Sequence, residues 1–123
     1  MTLEDVFGLT DAKTYDCYLH DYHVGHSTLR ILAHRNEHRD RKMLLFSGVE
    51  YFSGSTRWSG ATFVLANADE TLEAIGLLPH GKALISDAER KIAALFLYKL
   101  YKHIELDIKI LASRAIIDTS YHY

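Results

Sequence analysis

Thr14-Tyr15-Asp16-Cys17-Tyr18-Leu19-His20-Asp21-Tyr22-His23-Val24, then Gly25-His26-Ser27, then Thr28-Leu29-Arg30-Ile31-Leu32-Ala33-His34: this stretch decides the fold. Both runs are rich in Tyr, Thr, Val, Ile and Leu and neither carries a helical stripe, so they read as two strands joined by the His-Val-Gly-His segment. Side chains alternate along a strand, so Leu29, Ile31 and Ala33 share one face, and Thr28, Arg30, Leu32 and His34 share the other. The odd-numbered face is the one expected in the core.

Outward from this hairpin, His34 to Lys42 contains no apolar residue and reads as a solvated connection. Met43 to Phe52 follows as a third strand broken by Gly48, and Trp58 to Leu65 as a fourth, after the loop Ser53-Gly54-Ser55-Thr56. Four sequential strands predict an antiparallel meander with one face buried, which needs a helix to cover it. Ser86-Asp87-Ala88-Glu89 resembles a capping box and opens the expected main helix, favoured through Phe96 to Tyr101 although that run also suits a strand. Shorter helical turns are expected at Thr2 to Gly8 and at Asp69 to Ile75, the latter ended by Gly76 and Pro79. His103 to Leu111 alternates apolar and charged residues and reads as a half-buried strand. Ala115-Ile116-Ile117 adds a last one, ahead of a polar aromatic tail. The expectation is a single α+β domain over residues 1–123, with an antiparallel sheet of five or six strands covered by one main helix.

Composition bounds the function. The 123 residues are 48% hydrophobic and 24% charged, as in folded globular domains. A net charge of −2 provides no general attraction for nucleic acid or anionic membranes. Cys17 is the sole cysteine, so no intramolecular disulfide forms. The first residues lack the basic and apolar regions of a secretory signal, and the longest apolar stretch, Ile92 to Tyr98, is far short of a membrane span. A cytoplasmic location is expected.

Five of the eight histidines, His20, His23, His26, His34 and His38, fall close together. Imidazoles there could bind metal, move protons or respond to pH. On one extended strand, however, odd spacing sets His23 opposite His20 and His26. Those two in turn lie about 20 Å apart at roughly 3.3 Å per residue, unless Gly25 turns the chain. His34-Arg35-Asn36-Glu37-His38 spells H-x-x-E-H, but that zinc chemistry needs a packed helix and a third ligand, which a wholly polar connection does not offer. The His20-Asp21 pair lies in a strand pattern, unlike the helical metal-binding dipeptide of HD-type phosphohydrolases. Cys17 beside His20 reads as a small core residue rather than a nucleophile. Gly54 to Gly60 lacks the spacing and the Lys of a phosphate loop.

Arg57-Trp58 offers a contact surface, since both residue types dominate interfaces; a lone Trp at a strand start also suits closing one end of the core. Eight tyrosines add amphipathic area for a subunit or partner interface. The order Leu19-His20-Asp21, a hairpin, Leu44-Leu45-Phe46-Ser47-Gly48-Val49-Glu50-Tyr51-Phe52 and a Trp-led strand resembles small uncharacterised bacterial β-rich proteins, including some of the immunity-protein type. The resemblance covers residues 15 to 65, leaves out the His34 to His38 connection and brings no catalytic residue.

The leading expectation is a non-enzymatic domain without cofactor that binds another protein or itself as a homodimer, with His20, Asp21, His23, Arg57 and Trp58 as candidate contact residues. The alternative is a histidine-dependent metal-binding protein or hydrolase that uses His20 and His23 with Asp21.

Overall fold

A computed structural model describes residues 5–37, 39–76, 95–100 and 108–119. The hairpin forms as the sequence predicts: β1 (Asp16–His23) and β2 (Thr28–Arg35) run antiparallel, from Asp16 opposite His34 to His23 opposite Thr28. Leu29, Ile31 and Ala33 are all buried, the core face that period-two alternation assigns. Gly25 sits in a 3₁₀ turn (Val24–His26), which ends at Ser27 in the left-handed region with φ 50°.

β3 (Asp40–Ser47) continues the meander beside β2, with Met43 opposite Leu32. The link between them is therefore shorter than the polar run suggests. His34 and Arg35 end one strand, and Asp40 to Lys42 begin the next; their side chains can be polar because one face of this sheet is not the core.

The expected third and fourth strands each divide between two sheets. The third breaks at Gly48, whose φ of 62° suits glycine and where a Cβ would collide with the Ser113 hydroxyl. Beyond it, β4 (Tyr51–Ser53) belongs to another sheet. The fourth breaks near Gly60 into β5 (Arg57–Ser59), which returns to the free side of β1, and β6 (Phe63–Leu65). Adding β7 (Phe96–Leu100), β8 (Lys109–Ala112) and β9 (Arg114–Ile117) gives the order β5-β1-β2-β3-β9 in one sheet and β4-β8-β7-β6 in the second. Nine antiparallel strands among the described residues thus replace the five or six expected in one sheet, within the expected α+β class.

The two sheets close on a core that includes Ile31, Leu44, Trp58 and Ile110. Phe46 lies at its centre, its ring 5.4 Å from Tyr98, 5.6 Å from Phe7 and 5.7 Å from Phe63, all edge-on. The helix α1 (Ala68–Gly76) lies where a turn was expected, with Asn67 Oδ1 accepting the Glu70 amide at 2.8 Å as its N-terminal cap. Ala74 and Ile75 pack on Leu95, Leu97 and Leu111, so α1 covers the outer side of the second sheet.

The main helix expected from Ser86 is corrected at its end. Residues 86–94 lie outside the described residues, and Phe96–Leu100 is strand β7. Its pattern misleads because both faces are covered: Leu97 meets the helix side while Tyr98 and Leu100 meet the sandwich core, which erases alternation. The strand read over His103 to Leu111 is described only from Ile108 on. The opening helix is not seen over Asp5 to Phe7: the Val6 amide donates to the Phe63 carbonyl at 2.7 Å, which draws the segment alongside β6. Residues 1–4 of that reading, and 120–123 of the tail, lie outside the described residues. No helix among the described residues is long and apolar enough to cross a membrane.

Candidate functional site

Strand β1 builds two clefts, one at each end and on opposite faces. At its first half β1 is flanked on both sides, by β2 and by β5, with Cys17 opposite Trp58 and Tyr18 opposite Arg57. Alternation then splits the Arg57-Trp58 pair. Trp58 turns inward at 6% exposure, its Nε1 donating to the Gly60 carbonyl at 2.8 Å, and closes that end of the core. Arg57 turns outward, its guanidinium 6.0 Å from the Tyr18 ring centre. A polar cleft of about 330 Å³ lies here, lined by Asp16, Tyr18, His34, Arg57 and Ser59.

Serine, histidine and aspartate meet in that cleft without the order that acyl transfer needs. The Ser59 hydroxyl donates to Asp16 Oδ1 at 2.8 Å, whereas a nucleophilic serine must give its proton to an imidazole held by the carboxylate. Cys17 is no nucleophile either. Its thiol is buried, donates to the Gly60 carbonyl at 3.4 Å and is pushed up to about 12, by burial first and by the Asp16 charge second.

Below the cleft a clamp ties the β2–β3 link to the start of the chain. Arg35 Nε donates to Asp40 Oδ2 at 2.7 Å, Tyr15 donates its hydroxyl to the same oxygen at 2.9 Å, and Arg35 also reaches the Thr10 carbonyl at 2.8 Å. The guanidinium lies 4.2 Å from the Tyr15 ring centre. The Arg35 hydrogen bond holds the Asp40 carboxyl below its ordinary range, while burial, then Asp40, raise the Tyr15 hydroxyl. Every member has a structural partner. This clamp accounts for Arg35 and Asp40 of the polar run; His34 lies in β2, and His38, the other end of H-x-x-E-H, lies outside the described residues.

The second half of β1 differs because of a bulge. Register passes from Leu19 opposite Ile31 to Asp21 opposite Arg30, leaving His20 as the extra residue. Asp21 and His23 therefore share the outer face, and Tyr22 turns to the core side opposite Leu29. The Leu19 amide still donates to Thr56 at 2.8 Å, but beyond it β1 has no strand on its far side among the described residues. The sandwich opens there into an apolar cleft of about 350 Å³, lined by Leu19, Tyr22, Leu29, Val49, Tyr51 and Phe52 with Glu50 among them. Tyr22 is 45% exposed and Val24, at the turn beside it, 78%.

The residues singled out from the sequence are thus dispersed. His20 lies 6.4 Å, ring to ring, from Tyr18; Asp21 contacts Arg30 at 3.4 Å; His23 sits 5.9 Å from His26. None of these three lines either cleft. No group of three or more potential metal-ligating side chains occurs among the described residues. Sequence reasoning missed the apolar cleft, since its floor joins β1 and β2 to a segment beyond Gly48 that was read as their neighbour in the same sheet. The aromatic run Tyr51-Phe52 close after Gly48 was the available signal. Comparison of the chain with protein-family models, with curated proteins and with solved structures finds no match.

Proposed function

We propose that the chain is a small non-enzymatic domain that binds a protein partner, or a second copy of itself, at the open end of the sandwich. The observation that carries this reading is the apolar cleft bounded by Tyr22, Tyr51 and Phe52, with Tyr22 and Val24 exposed at its rim. A single aliphatic or aromatic side chain of the partner seats there, as anchors do in binding pockets, while Glu50 and the outer-face charges supply a polar rim. The single cysteine supports a reducing, cytoplasmic setting, and the proposed role calls for no cofactor. The histidine-dependent enzyme built on His20 and His23 has less support, since the bulge and the turn give those side chains different neighbours.

Light scattering over a concentration series, together with affinity capture on the native chain, tests the reading. Self-association or a saturable partner that weakens in Tyr22→Ser and Val24→Asp supports it. A strictly monomeric chain that captures nothing, or binding that both variants leave untouched, overturns it.

A further inference from the structure

The turn that joins β1 to β2 places two imidazoles side by side at the surface, a feature the proposed binding role does not use. His23 is the last residue of β1 and precedes the 3₁₀ turn, and His26 is the turn's last residue. His23 keeps an extended backbone as the cap of that turn, and the turn brings His26 back beside it, so the two rings lie close together. Their centres are 5.9 Å apart and their planes tilted by 41°.

We propose that His23 and His26 chelate a divalent transition-metal ion of the nitrogen-preferring class, Cu²⁺, Ni²⁺ or Zn²⁺. A metal–nitrogen bond of about 2.0–2.1 Å puts the ion about 3.2 Å from each ring centre; the right angle of a tetragonal Cu²⁺ or Ni²⁺ site then sets the centres about 4.5 Å apart, and the tetrahedral angle of Zn²⁺ about 5.2 Å. The observed separation exceeds these by about 1.4 Å and about 0.7 Å, within reach of small side-chain rotations at exposed positions. The backbone needs no rearrangement. The Ser27 amide donates to Val24 at 3.3 Å, the Val49 amide to Ser27 at 2.9 Å, and His23 pairs with Thr28, so both Cα atoms are fixed before an ion arrives. The described residues bring no third side-chain donor, so water fills the remaining coordination positions. The space beside Gly25 is open, since a Cβ there would meet nothing within 4 Å. This pair differs from the one the sequence singled out: His20 is the bulge residue and lies beside Tyr18.

Calorimetric titration of untagged chain with Cu²⁺, Ni²⁺ and Zn²⁺ in turn, with imidazole resonances followed in parallel, tests the proposal. One ion per chain is expected, Cu²⁺ tightest by the usual order of divalent affinities, with His23 and His26 resonances perturbed together. His23→Ala and His26→Ala should each weaken binding about tenfold or more, and His20→Ala should leave it unchanged. Thermal unfolding of each variant separates lost ligation from lost fold, since both rings are exposed. The proposal falls if no ion binds, if the His23→Ala/His26→Ala double variant binds as wild type does, or if His20→Ala weakens binding as much as His26→Ala.

Discussion

The two halves of β1 are built from similar residues and end in opposite states. From Asp16 to Tyr18 the strand lies between β2 and β5, its inward neighbour Trp58 is buried, and its surroundings are knit by Ser59 and the Arg35–Asp40–Tyr15 clamp. From Asp21 to His23 only β2 flanks it among the described residues, and Tyr22 stands at the lip of an open cleft. The difference does not lie in residue type, since Tyr and Asp occur in both halves. Neighbouring strands decide whether such a side chain is consumed by the fold or left available. A residue type is thus weak evidence of function until its cross-strand partners are known.

The sharpest way to break this comparison is to truncate one aromatic at each end. Trp58→Ala is expected to destabilise by about 3–5 kcal/mol, the range for a buried large aromatic, and Tyr22→Ser by about 0.5 kcal/mol or less, as for exposed positions. Denaturant unfolding of the two variants measures both, and equal losses would mean that the ends do not differ as described. A smaller effect is expected where the chain leaves the first sheet for the cleft. Gly48→Ala places a Cβ at positive φ against Ser113 and should cost about 1–3 kcal/mol, because strain and overlap add. A shift in the unfolding midpoint below that range would show that the crossover yields easily.

The smallest effect belongs to the clamp and is read as a pH dependence. Asp40 has its carboxyl held below the ordinary value in the fold, so the unfolded chain binds its proton more readily. The stability it contributes is present above about pH 4, the ordinary carboxyl value, and is lost as pH falls further through the folded value. Asp40→Asn should flatten the acid limb of the stability profile relative to wild type. Tyr15→Phe, which deletes one hydrogen bond, should cost about 1 kcal/mol at neutral pH. An acid limb unchanged by Asp40→Asn would detach the clamp from stability.

Much of the first sheet was legible in the sequence. The β1–β2 hairpin, its odd-numbered core face, the break at Gly48 and the strand at Ala115 to Ile117 all follow from period-two patterning and turn residues. Runs that form β4, β6 and β8 also read as strands, but their separation into a second sheet and the strand β7 were not legible, because that sheet is covered on both sides. At β7 the sandwich core takes Tyr98 and Leu100 while α1 takes Leu97, so the run reads as uniformly apolar and a helix competes with a strand. The candidate site was legible only in part. Alternation correctly allows Trp58 to close the core and turns Arg57 away from it. Pairing of His23 with His26 needed the turn at Gly25, and exposure of Tyr22 on the cleft side needed a register change that no single residue announces. The cleft itself joins residues from two sheets, information that local pattern does not carry.

That register change has a consequence for how the chain tolerates length variation. Without the bulge, with His20 kept in phase, a strictly alternating strand of this sequence would send Asp21 and His23 into the core and Tyr22 out. The inserted position resets the phase, so the strand is written in two frames with His20 as the spacer between them. Removing His20 alone joins those frames without turning any side chain over, whereas deleting Tyr18 or Tyr22 inverts everything on one side of the gap. A single-residue deletion scan along β1 should therefore find one permissive position, and it should be the one whose side chain the register does not count.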